Sequence, residues 1–206
     1  AQGVTRGNRK AEGFGIAAPG LWVQAGPLDG RIEFRRFQDD FDSGYFDNLY
    51  DLDRARLDVA SGRVTPKDAR LVRDESQSGV YGHLGAHLGS FVYAGADYQY
   101  LTGGDDAKQQ VHASARLSDK FLENIPRLRQ ARAYFQKNNI GAGINDDGEE
   151  DGFFDATEDM FFGYALALEV NQGVSLMWDT RFFYERSADG GLDRAKVMFI
   201  ETIFNF

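Results

Sequence analysis

Between residues 160 and 170 every second side chain is large and apolar: Met160, Phe162, Tyr164, Leu166, Leu168 and Val170. The intervening Gly163, Ala165, Ala167 and Glu169 are small or charged. A strand sends successive side chains to opposite faces, whereas a helix would scatter the charges among the apolar positions. The same period returns at residues 174–185. There Leu176, Trp178, Phe182 and Tyr184 share one face, and Asp179, Arg181 and Glu185 share the other. It returns again at residues 196–206, where Met198, Ile200, Phe204 and Phe206 oppose Glu201 and Asn205, with Thr202 in the apolar register. This pattern predicts long strands with one apolar and one polar face.

Upstream the alternation is weaker but persists. Val80, Leu84, Ala86 and Leu88 oppose Tyr81, His83 and His87. Val92, Ala94, Ala96, Tyr98 and Tyr100 oppose Tyr93, Asp97 and Gln99. Val111, Ala113, Ala115 and Leu117 oppose His112, Ser114 and Arg116, and Ala131, Ala133 and Phe135 oppose Arg132 and Tyr134. Residues 14–25 and 31–38 add two earlier strands. Pro19 removes a ladder donor and predicts a bulge or break. Residues 2–10 are a poor tenth strand.

The connections alternate in length. Residues 26–30, 89–90 and 171–173 read as tight turns, and 118–126 as a middling connection. Residues 39–78, 102–108, 137–157 and 187–193 are mostly longer, acidic and rich in Gly, and a hairpin fits within 54–72. Short turns on one rim and long loops on the other are the pattern of an outer-membrane barrel. No apolar run approaches the roughly 20 residues of a membrane helix. A barrel wall escapes that test, because only alternate residues meet lipid. The absence of Cys excludes a disulfide framework and thiolate metal ligands. A net charge of −9 argues against a nucleic-acid partner.

The ending, with Phe206, Phe204, Ile200 and Met198 at even steps, resembles the C-terminal signal of Gram-negative outer-membrane β-barrel proteins. Thr202 is a less typical occupant of its position. The resemblance implies an all-β, antiparallel up-and-down transmembrane β-barrel of about 9–10 strands in the bacterial outer membrane, forming one domain over 1–206. It also implies that the barrel-insertion machinery reads the last strand. The expected partners are the lipid bilayer, outer-membrane lipids and other envelope protein subunits. Such barrels have an even number of strands. Either residues 2–10 therefore complete the count, or the chain is the C-terminal part of a larger barrel.

On the polar face Arg35, Arg116, Arg132 and Arg181 stand against Glu33, Asp97, Glu169, Asp179, Glu185 and Glu201. A selective pore concentrates one sign at its constriction. This balanced set fits an internal ion-paired network first and a conducting lumen second. His83, His87 and His112 share that face. His83 and His87 are roughly 13 Å apart along the strand, too far to share a metal, so the histidines read as members of the network.

Asn145, Asp147, Gly148 and Asp151 resemble half of a calcium loop. Gly143 stands where a further Asp is expected, and Phe154 where a Glu is expected. Asn145, Asp147 and Asp151 are the candidate ligands for Ca²⁺ or Mg²⁺ in what is otherwise a solvated acidic loop. Phe41, Tyr45, Phe46, Leu49 and Tyr50 make residues 41–57 too apolar for a free loop, so this segment is expected to fold back over the rim or into the lumen. The chain has no G-x-S-x-G, H-E-x-x-H or P-loop motif, and no catalytic residue is assigned. The expectation is a structural or surface-interaction component of the envelope. The alternatives are a porin-like channel and a soluble β-barrel that binds a hydrophobic ligand with its faces reversed.

Overall fold

The structure, a computed structural model, describes residues 2–6, 9–39, 41, 55–58, 63–67, 76–103, 108–141, 149–187 and 191–204. The strands are β1 (Gln2–Arg6), β2 (Arg9–Ala25), β3 (Leu28–Asp39), β4 (Ala55–Asp58), β5 (Arg63–Pro66) and β6 (Gln77–Leu88). They continue as β7 (Val92–Thr102), β8 (Lys108–Leu117), β9 (Leu128–Lys137), β10 (Met160–Asn171), β11 (Val174–Arg186) and β12 (Leu192–Phe204). One helical turn, α1 (Asp119–Leu122), lies between β8 and β9. The fold is an all-β antiparallel meander in the order β1-β2-β3-β6-β7-β8-β9-β10-β11-β12, with β4 and β5 forming a separate hairpin. Among the described residues the pairing order has two ends, β1 and β12, and is not closed.

The strands begin earlier than the alternation alone predicts. β2 starts at Arg9 because β1 pairs with it, Gln2 opposite Gly13 and Arg6 opposite Arg9. β2 also runs through Pro19, whose peptide bond with Ala18 is cis. β1 reaches only to Gly13, so Pro19 lies where one side of β2 has no partner among the described residues and a missing donor costs little. The β2–β3 turn occupies only Gly26 and Pro27, with Gly26 at a φ of +60°, a conformation open to glycine at no steric cost. Asp29, expected in a turn, is therefore a strand residue. The hairpin expected within 54–72 is β4–β5. α1 was not legible as a helix, because one turn is too short to show a helical period. Ser118 caps it, accepting the Phe121 N–H at 3.2 Å, and Phe121 packs edge-on against Phe91.

By contacts the chain forms two compact units. One comprises 1–20, 33–80 and 101–106, and the other 21–32, 81–100 and 107–206. In the first, Glu33 and Phe37 are buried on one face of β3, and Arg35 pairs with Glu33 at 2.6 Å. Phe41, the first residue of the apolar 41–57 segment, stacks on Phe37 at 5.1 Å and lies over Gly15. Residues 42–54 lie outside the described residues. In the second unit the usual burial pattern is inverted. Phe161, Ala165, Ala167, Ser175 and Asp179 are buried on the face that carries the charges. On the opposite face Leu84 is 63% exposed and Ile200 59% exposed, whereas Asp179 is 1% exposed. Val111, Lys137, Met160 and Thr180 depart from this pattern, being buried despite their apolar-face register.

Candidate functional site

The period of β7 places Tyr93, Asp97 and Gln99 on the polar face, and β7 lies between β6 and β8 in the sheet. Asp97 is consequently flanked by a histidine from each neighbour. His83 Nδ1 lies 2.6 Å from Asp97 Oδ1, and His112 Nδ1 lies 2.9 Å from Oδ2. The Tyr81 hydroxyl also donates to Oδ1. An ionised carboxylate only accepts, so both imidazoles present Nδ1–H to it. The far nitrogen of His83, Nε2, lies 3.1 Å from the Tyr93 hydroxyl and 3.2 Å from Asp29 Oδ2. The network thus runs from β3 through β6 and β7 to β8.

Several neighbours shape this cluster. Gly85 leaves the space that Tyr93 and Asp29 fill, since a Cβ there would collide with both. Arg116 lies over the Tyr93 ring at 5.3 Å, and the His87 ring sits 4.7 Å from the same tyrosine. All three histidines therefore belong to one cluster. It contains no serine or cysteine nucleophile bonded to a histidine. Through Asp97 the two imidazoles tie β6 and β8 to β7.

A second network joins β9, β11 and β12. Tyr134 donates to buried Asp179, whose other oxygen takes Arg181 Nη2 at 2.9 Å and Nε at 3.1 Å. The Arg181 guanidinium lies 4.7 Å above the Phe199 ring. Gly163 stands opposite Tyr134 in the ladder and makes room for the phenol, which a Cβ would meet at 2.8 Å.

Of the candidate cation ligands, Asn145 and Asp147 lie outside the described residues. Asp151 is buried, with Lys137 Nζ 2.7 Å from Oδ2 and the Gly141 N–H 2.9 Å from Oδ1. A divalent ion using Asp151 would have to displace that ammonium. Among the described residues no group of three or more His, Asp or Glu side chains is arranged to hold a metal.

Sequence parity put His83, Asp97 and His112 on one face without bringing them together. The neighbour order of β6, β7 and β8 supplies that step. Asp29 and Lys137 are not legible from the sequence, because the first stands among turn-favouring residues and the second at the start of a Gly-rich acidic stretch.

Replacing Asp97 with Asn should cost about 1–3 kcal/mol. The amide turns an NH₂ toward one of three converging donors and removes the charge that orients them. A urea titration of the folded protein checks this, and an unchanged midpoint would show that the donors are satisfied elsewhere.

No protein-family model, curated protein or solved structure matches this chain.

Proposed function

We propose that the chain is an integral outer-membrane β-barrel protein with a structural role in the envelope, its apolar face toward lipid and its polar face toward the interior. The inverted burial carries this reading: exposed leucines, isoleucine and phenylalanines on one face, buried and bonded charges on the other. In water such a surface would be an aggregation liability, and in hydrocarbon it is the expected exterior. The soluble alternative requires the opposite arrangement.

Strand length supports the reading as well. β6 to β12 have 10 to 13 residues each, and a tilted membrane strand needs about 9–11. Near one end of the apolar face Phe162 and Phe182 stack at 5.2 Å, with Lys196 Nζ 5.9 Å and Arg194 5.6 Å from the Phe182 ring. Aromatics with long cations that reach toward water are what a membrane interface selects. Hydrocarbon also tolerates no open sheet edge, so this reading requires β1 and β12 to be paired in the membrane.

A bracing interior is favoured over a conducting one because Asp97 and Asp179, the carboxylates at the centre of the two networks, are committed to neighbouring donors. Dilution of urea-unfolded chain into phospholipid vesicles should give a protease-resistant species whose electrophoretic mobility changes on heating. The same preparation in a planar bilayer should show no stable conductance steps. A chain that folds without lipid and stays out of detergent micelles would reinstate the soluble barrel, and steady conductance would reinstate the channel.

A further inference from the structure

The row Val111, Lys137 and Met160 crosses β8, β9 and β10 in register on the apolar face. A lysine in that row is out of place, yet all three residues are buried, and Lys137 is 0% exposed. Residues 151–155 cover it. The ammonium donates to the Gly152 carbonyl at 2.5 Å and the Asp155 carbonyl at 2.8 Å, and forms an ion pair with Asp151 Oδ2 at 2.7 Å. Gly152 and Asp155 are themselves the ends of a tight turn. The Asp155 N–H reaches the Gly152 carbonyl at 3.4 Å, and the Gly152 N–H donates to Asp155 Oδ2 at 2.7 Å.

The tip of that turn is Phe153–Phe154. Turn tips favour Gly, Pro, Asn, Asp and Ser, each for its backbone chemistry, and two phenylalanines offer none of that. The rings pack edge to face at 5.0 Å, and Phe154 is 84% exposed. Phe153 borders an apolar groove of about 690 Å³ that also contacts Leu84, Ala96, Tyr98 and Val111 of the apolar face. Register sets the level of Lys137, which holds the turn. One pleat step from the Lys137 row lies the row Phe135, Phe162, Phe182 and Lys196, the aromatic and cationic belt described above.

We infer that Phe153 and Phe154 are a loop-borne membrane anchor, held on the apolar face by the Lys137–Asp151 clasp and inserted at the boundary between lipid headgroups and acyl chains. This rests on the membrane reading and adds a docking element outside the strands. The occupant is the lipid surface. The exposed pair borders the apolar face, is held by a lysine one pleat step from its interfacial belt, and is fixed in place by an ion pair at the turn.

The test uses the full chain folded into phosphatidylcholine vesicles. Trp22 and Trp178 are its two tryptophans. One version carries Trp22→Phe and keeps Trp178, which lies in the row of Leu166 and Ile200, as a reporter in the wall. The other carries Trp22→Phe, Trp178→Phe and Phe154→Trp. The vesicles contain lipids brominated either near the headgroup or near the chain end. Tryptophan at 154 should show blue-shifted emission and lose more intensity to the shallow bromines than to the deep ones. Adding Asp151→Asn should reduce that loss. Tryptophan at 154 quenched by neither set, or more by the deep one, overturns the anchor while quenched Trp178 leaves the membrane reading standing. Unquenched Trp178 overturns both. Where Phe154→Trp fails to fold, Phe154→Cys in this cysteine-free chain takes a single spin label. Collision with oxygen in preference to an aqueous nickel complex then supports the anchor, and the reverse overturns it.

Discussion

Lys137→Met should destabilise the folded protein by about 3–5 kcal/mol, the cost of leaving the buried Asp151 carboxylate without its cation. Methionine is one atom shorter but keeps most of the side-chain volume, so the loss reports mainly charge and hydrogen bonds. Three bonds go at once: the Asp151 ion pair and the two carbonyls of Gly152 and Asp155. Asp151 retains the Gly141 N–H. Lys196→Met is the control, because Lys196 shares the apolar face but is exposed. The double variant Lys137→Met with Asp151→Leu should recover much of the loss, since replacing both partners of a buried pair with apolar groups is often neutral. Urea titrations of the four proteins in the same vesicles measure the difference. Equal midpoints for Lys137→Met and the parent would show that the clasp contributes nothing.

Leu166→Arg should cost about 2–4 kcal/mol in a lipid bilayer if Leu166 lies at the midplane. Leu166 pairs in register with Trp178, and Trp178 with Ile200. That row is midway along β12 between Lys196 and Phe204, so both interfaces are distant. The magnitude separates the two environments. Leu166 is exposed, and a surface substitution in water away from special features stays within about 0.5 kcal/mol. A large loss in vesicles supports lipid at that face. No loss, in a variant that still shows heat-dependent mobility, would place the face in water and remove the observation on which the proposed function rests.

The wall was legible because its rule is local. A pleat of period two requires only that alternate residues share a character, and Met160 to Val170 meet that condition without help from any other segment. The faces, most of the strands and the β4–β5 hairpin followed from it. The three histidines and Asp97 were placed on the correct face by the same rule. Their meeting was not visible, because it depends on β6, β7 and β8 being neighbours in a particular stagger. A change of one residue in that stagger would separate them.

The ends of strands were read less well than their middles. Leu28 to Gly30 were assigned to a turn because Gly and Asp favour turns. Pairing with a neighbouring strand drew them into β3, and so brought Asp29 to His83. Lys137 stands at the head of the Gly-rich acidic stretch 137–157, which reads as a loop. The tertiary structure covers it with residues 151–155, and the desolvated ammonium then draws in a carboxylate and two carbonyls. Alternation along the chain determined which face each strand residue occupies, through the pleat geometry that every strand shares. Which residues touch across strands, and which loop folds onto which face, was decided by register and burial, because those depend on residues far apart in sequence being held at fixed separations.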